Sequence, residues 1–456
     1  LARAGPSLFV ARRAKRRRRS RTLRSRSPAP ALSPNRTHQT QQSRPSATIT
    51  STSSARAVVH APLSTAAIAR RSARPTAAAP VRAQAAANAP AAPKRLPSYL
   101  SKPNDQVRVL VAGPTGYIGK FVVKELVARG YQVFALSREN AGIKGKMGKD
   151  DIRRALDGAT VVFGDPTDRP SMERLCNGGL PDGASPDVVV SCLASRTGGK
   201  KDSWRVDHDA SKNVFEAGAA AGAEHLVLLS AICVQKPLLE FQKAKLALEQ
   251  SMAQKAEANG GPSFSIVRPT AFFKSLAGQV KLVAEGKPYV MFGDGTLAAC
   301  KPISERDLAC FIADCVRPSA EASEGAPEGT LNAVLPIGGP GRAMTARDQA
   351  DALFRLASVK PNYFPVPVAL MDGIISILDL VAKFFPQMED SAEFGRIGKY
   401  YATESMLVWN EARNAYDADA TPSYGKDTLE GFFKKALTEG LEGQELGDQA
   451  VFGVNE

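Results

Sequence analysis

The sequence runs to 456 residues, 43 % of them hydrophobic, which is enough to bury a large core spread over two or three lobes. Its net charge of +15 first points to a nucleic-acid or membrane-surface binder. The location of that charge excludes nucleic acid as a partner of the body: residues 1–95 hold 20 Lys and Arg and no Asp or Glu, so 40 basic residues face 45 acidic ones in 96–456, a net of −5.

The leader, 1–95, is rich in Arg, Ser, Ala, Thr and Pro, with "RRAKRRRRS" at 12–20. It cannot build a core and reads as a disordered organelle transit peptide. A nuclear-localisation cluster is the rival reading of the basic block. The chain opens on Leu1, which implies that residues precede it.

From Val107 short apolar strands alternate with helices. "VRVLVAG", "YQVFALSR", "TVVFGD", "DVVVSCLAS", "HLVLLSA" and "FSIVRP" are predicted strands, separated by helical stretches such as "KFVVKELVARG" and "HDASKNVFEAGAAAGAEH". Continuous Val/Ile/Leu runs between helices predict an α/β fold, a doubly wound parallel sheet of Rossmann-like type. The expected division is 104–275 for a nucleotide-binding core and 276–456 for a smaller substrate lobe, with some strands returning to the core sheet.

The first strand-to-helix turn carries Gly113, Pro114, Thr115, Gly116, Tyr117, Ile118 and Gly119 in a GxxGxxG spacing. Small residues there let the backbone approach a pyrophosphate at a helix N-terminus. The second strand ends in Ser137 and Arg138, where an acid would serve the ribose hydroxyl of NAD; Ser and Arg instead favour the 2′-phosphate of NADPH. Lys144, Lys146 and Lys149 follow in a charged loop. Asp165, ending the third strand, either accepts from an adenine amino group or caps the helix around "SMERL". Ala194 and Ser195, after the fourth strand, complete the expected cofactor contacts.

These features resemble the atypical short-chain dehydrogenase/reductase superfamily, in which a Tyr-xxx-Lys pair does the work. "FQKAK" aligns with that pair: Lys245 takes the lysine position and Phe241 the tyrosine position, while Ser230 in "LLSAI" occupies the place of the helper serine. The resemblance implies that Lys245 orients the nicotinamide ribose. Phenylalanine has no proton to give, and general acid catalysis is worth ~10²–10⁴ in rate. Either the chain binds NADP(H) without turnover, as NmrA-like regulators would, or its substrate delocalises negative charge by itself.

"VLVAGPTGYIGKFVVKELVARGY", "FSIVRPTAFFKSLAGQV", "KPISERDLACFIADC", "LPIGGPGRAMT", "YYATESMLVW" and "TPSYGKDTLEGFFKKAL" extend the likeness over nearly the whole chain after the leader. Together they resemble the plastid divinyl chlorophyllide a 8-vinyl-reductases. That resemblance implies NADPH-dependent reduction of a vinyl group on a magnesium chlorin, within a plastid. Phe241, Phe272 and Phe273 are then candidates to pack against the macrocycle, with plain core as the alternative.

The remaining signals read as structural. Six cysteines show no CxxC pair, so buried free thiols are expected. His208 and His225 lack partners at metal spacing. Ser304, Asp307 and Thr345 are candidate helix caps. "VALMDGIISILDLVAKFF", 368–385, reads as an amphipathic helix packed on the core; its alternative is peripheral contact with a thylakoid or envelope membrane.

Overall fold

The computed structural model describes residues 96–142, 145–258, 260–319, 329–385 and 389–440. The leader and Lys144 lie outside the described residues. Seven strands form one wholly parallel sheet: β1 (Arg108–Ala112), β2 (Gln132–Ser137), β3 (Thr160–Phe163), β4 (Val188–Ser191), β5 (His225–Leu229), β6 (Ser263–Pro269) and β7 (Ala333–Ile337). Their spatial order is β3-β2-β1-β4-β5-β6-β7. The chain moves outward from β1 to β3, then returns across the sheet to β4. That reversal opens a crevice above the carboxyl ends of β1 and β4, where ligands of such sheets sit.

The strands are continuous apolar runs because both faces are covered. Val109 and Val111 point into one core with Val188 and Val190; Leu110 and Ala112 alternate into the other with Val189, Leu226 and Leu228. Each side chain of this size contributes about 1.5–3 kcal/mol when fully buried. Helices α1 (Gly119–Ala128) and α5 (Glu305–Asp314) cover the first face, and Arg129 pins them together through Asp314 at 2.6 Å and the Cys310 carbonyl at 3.1 Å. Helices α2 (Arg169–Cys176) and α3 (Ser211–Ala220) cover the second.

α4 (Glu240–Glu257) carries the "FQKAK" segment. A third core joins the Phe273 region to α6 (Ala346–Ala357) and α9 (Leu429–Glu439) through Leu353, Phe354 and Phe433. Ser304 caps α5, its hydroxyl accepting from the Asp307 amide at 2.9 Å, and Thr345 caps α6 in a reciprocal box with Asp348. Asp307 is no cap: its carboxylate accepts from the amides of Lys426 and Asp427 at 3.1 and 2.9 Å.

Helix α7 (Val368–Phe384) departs from the core packing expected of it. Only Ile375 is buried, whereas Leu370, Ile377, Leu380 and Phe384 are more than half exposed. Its apolar residues outnumber the positions where α8 (Glu389–Thr403), the helix packed beside it, can cover them. No helix among the described residues is long and apolar enough to cross a membrane.

Candidate active site

The glycine turn is built for close approach. Gly113 has φ of +78°, and a Cβ there would sit 2.8 Å from the Cys192 carbonyl oxygen at the end of β4. A Cβ on Gly119 would fall 2.1 Å from the Gly113 oxygen, so only glycine lets α1 begin against the turn. Pro114, Ile118 and Gly119 are buried, Thr115 is half-buried and Gly116 is exposed at the mouth of the crevice. This cradle fits a pyrophosphate lying over the N-terminus of α1. The Tyr117 side chain turns away from it: its hydroxyl donates to Glu305 and its ring packs on Phe272 at 6.1 Å. Burial holds the Glu305 carboxyl above the ordinary range.

Past β2, Arg138, Glu139, Asn140, Phe163, Gly164 and Asp165 line a cavity of about 380 Å³. Arg138 is exposed at its edge, but Ser137 is buried and its hydroxyl donates to the Arg138 carbonyl at 3.0 Å. Asp165 does not cap α2; the residue at that position is Asp168. One Asp165 oxygen accepts from the amide and hydroxyl of Thr167 at 2.9 and 2.8 Å, which keeps the carboxylate at the cavity wall.

The two lysines of "FQKAK" have opposite fates. Lys243 is exposed and pairs with Glu240 one turn back, at 2.8 Å. Lys245 is buried, and its Nζ lies 3.1 Å from Asp207 and 3.4 Å from the Leu229 carbonyl. The second Asp207 oxygen accepts from the Ser195 amide at 3.2 Å. Asp207 therefore ties the loop after β4 to the lysine of α4. It reaches this position because Ser203–Ala210 is π-helical, a wide turn that faces Ser203, Asp207 and Ala210 inward. Sequence reasoning missed Asp207; within "RVDHDA" it looks like any surface acid. Ala194 is exposed beside Ser195 at the crevice.

Ser230, placed by "LLSAI" as a helper serine, is buried at the end of β5. Its hydroxyl donates to Glu249 on α4, and Glu249 is held by Arg268 of β6 at 3.1 and 3.2 Å. Phe273 is corrected: it is 2 % exposed, inside the third core against Phe432. Phe272 and Phe241 stay half-buried, Phe241 packing against the cluster of Cys233, Leu239 and Tyr400. Two buried thiols flank the lysine: burial pushes Cys192 up to about 12 and Cys233 up to about 11, each opposed by Lys245.

The two histidines among the described residues, His225 and His208, hold structural positions. His225 is buried between the Ser263 and Ser265 hydroxyls at 2.8 and 3.1 Å, and burial lowers it to about 3. His208 pairs with Asp209 at 2.8 Å. All six cysteines are free; five are buried and Cys310 is half-buried.

Residues 113–318 match the NAD(P)H-binding family, so the chain carries a nicotinamide-cofactor domain spanning the glycine cradle and Lys245. Solved structures share the fold: UDP-glucose 4-epimerase of Thermotoga maritima superposes with a TM-score of 0.51 at 17 % identity, covering 74 % of this chain and 99 % of that one. The divinyl chlorophyllide a 8-vinyl-reductase of the Cucumis sativus chloroplast is 57 % identical over 356 residues, 78 % of this chain and 82 % of the relative. Its Zea mays counterpart is 50 % identical over 373 residues, 82 % and 90 % of the two. With the cradle and the buried lysine in place and likeness of this extent, the chain belongs to the family of chloroplastic divinyl chlorophyllide a 8-vinyl-reductases.

Proposed function

We propose that this chain reduces the 8-vinyl group of divinyl chlorophyllide a to ethyl in the chloroplast, giving monovinyl chlorophyllide a in chlorophyll synthesis, with NADPH as the donor. The observation that carries the reading is a buried Lys245 retained beside a phenylalanine, Phe241, where a carbonyl reductase would need its acid. When bound, NADPH supplies a hydride. Asp207 holds Lys245 at one position above the sheet, and the ammonium provides positive potential at the crevice. Hydride addition to a carbonyl would concentrate charge on one oxygen and demand an immediate proton, a step worth ~10²–10⁴ in rate. Addition to the terminal vinyl carbon instead leaves the charge on a carbon conjugated with the chlorin, which spreads it.

The exposed Arg138 guanidinium at the edge of the 380 Å³ cavity favours NADPH over NADH, since β2 ends in Ser137 where NAD enzymes place their acid; Glu139, on the same cavity wall, is paired with Lys149 at 2.7 Å. The lobe from 276 onward, with Phe241 and Phe272, supplies the substrate side. The uncovered apolar face of α7 supports peripheral contact with a thylakoid or envelope membrane.

The test is anaerobic incubation of residues 96–456 with divinyl chlorophyllide a and NADPH, followed by the blue shift of the Soret band, with NADH in parallel. A shift with NADPH, and a loss of that preference in Arg138→Ala, is expected. No shift while NADPH still binds would leave a non-catalytic NADP(H) sensor as the better account.

A further inference from the structure

The cofactor crevice accounts for one end of the substrate and leaves the other unassigned. A second cavity, of about 520 Å³, lies where helices α7 and α8 meet the loop after β4; Lys200, Asp379, Ala382, Lys383, Glu389 and Arg396 line it. Hydrogen bonds tie this cavity to the segment that holds Phe241 and Lys245. Glu393, buried on α8, accepts from the Glu240 amide at 2.9 Å with one oxygen and from Arg396 at 3.1 Å with the other. The Arg396 guanidinium is thereby held one carboxylate away from the first turn of α4. Lys245 follows Glu240 by five residues, about 7.5 Å along that helix. Ile397, next to Arg396, packs against the same cluster as Phe241, and its Cδ1 lies 2.8 Å from where a Cβ on Gly198 would stand. The Lys200 amide donates to Asp390 at 3.2 Å, which fastens the loop after β4 to the start of α8. Helix α8 is therefore a shared wall, with Arg396 on the cavity and Ile397 on the Phe241 cluster.

The charges in the lining do not cancel. Glu389 pairs with Lys200 at 2.6 Å, and Asp379 pairs with Arg396, which also holds Glu393 behind it. Lys383 is exposed, and no carboxylate pairs with it among the described residues. An ammonium at a partly walled surface attracts an anion more strongly than one in bulk water. Apolar surface adjoins it: Ala382 is part of the lining, and Leu380, one turn back on α7, is 57 % exposed. A single unanswered cation beside uncovered apolar surface suits a ligand that is mostly apolar and carries one negative charge.

Resting on the vinyl-reductase reading above, we infer that this cavity is the carboxylate subsite of the chlorin, with Lys383 as its cation. A chlorophyllide is an apolar macrocycle with one free carboxylate, carried on the ring opposite the one that bears the 8-vinyl group. With the vinyl group at the cofactor crevice, the acid arm emerges on the far side of the macrocycle, and α8 borders both places. The Lys383 ammonium donates a charge-assisted hydrogen bond to that carboxylate, and Arg396 stands near it as a fixed second positive charge. Esterification removes the negative charge, so the subsite selects the free acid over its esters.

The experiment measures anaerobic turnover of divinyl chlorophyllide a and of its methyl ester with NADPH, both held in the same detergent micelles, for wild type and Lys383→Gln. NADPH titration and thermal melting accompany it. Wild type is expected to show a KM for the acid about three- to tenfold below that for the ester. Lys383→Gln should raise KM for the acid to the value for the ester, with kcat, the ester KM, NADPH affinity and melting unchanged. A change in the fold alone would move acid and ester together. A wild type that treats acid and ester alike overturns the subsite, as does a Lys383→Gln chain that keeps the preference for the acid. Either result leaves the vinyl reduction standing, whereas a wild type inert on both chlorins overturns this inference and the proposed function together.

Discussion

Replacing Lys245 with methionine separates what the lysine does for folding from what it does for chemistry. Its side chain is 8 % exposed and that of Asp207 1 %, at 3.1 Å. Lys245→Met therefore leaves a buried carboxylate held, among the described residues, by the Ser195 amide at 3.2 Å. Breaking one side of a buried pair costs about 3–5 kcal/mol, most of it the desolvation of the stranded charge. Asp207→Asn in the same chain removes that charge and keeps an oxygen to accept from Ser195, so the double variant should recover at least about half of the loss. Turnover should not return, because the ammonium is still missing. Denaturant midpoints at constant m-value measure the first effect, and the Soret assay measures the second. A Lys245→Met chain within about 0.5 kcal/mol of wild type would refute the burial argument. A double variant with restored turnover would refute the electrostatic one.

Gly113→Ala forces a Cβ to within 2.8 Å of the Cys192 oxygen at φ of +78°, at a cost of about 1–2 kcal/mol for the backbone alone, and should weaken NADPH at least about tenfold by fluorescence titration. Ser230→Ala removes a hydroxyl already given to Glu249, so stability should fall by about 1 kcal/mol with turnover nearly intact; a loss beyond about tenfold in kcat would restore a catalytic role. His225 is lowered to about 3, below its unfolded value near 6.5, so the unfolded chain binds the extra proton between those values. That part of the stability is present above about pH 6.5 and is lost as pH falls toward 3, and His225→Asn should flatten the acid limb of the denaturation midpoint. Ile377→Glu with Phe384→Glu, at positions 63 % and 73 % exposed, should abolish co-sedimentation with lipid vesicles and leave soluble turnover unchanged.

Much of the site was legible because it depends on short-range geometry. A glycine triplet between a strand and a helix has one good use, and the alternation of β-branched runs with helices admits few folds. The departure at Phe241 was also visible, since an absent hydroxyl needs no coordinates. The partner of Ser230 was not legible, because nothing local shows that Glu249, on the next helix and held by Arg268 on the next strand, would accept from its hydroxyl. Phe272 and Phe273 are neighbours of the same type, yet one faces the Tyr117 ring and the other an interior packed by α9.

The order of strands and helices, the cofactor turn, the caps at Ser304 and Thr345 and the retained lysine were determined by sequence alone. Each is set by periodicity, by a backbone angle or by a hydrogen bond spanning a few residues. Tertiary structure decided the partner of Lys245, the side of α4 on which it is buried, the exposure of α7 and the arrival of Tyr400 against Cys233. Those depend on which surfaces meet between elements far apart in the chain, 38 residues for Lys245 and Asp207, and the meeting is fixed by the packing of whole elements.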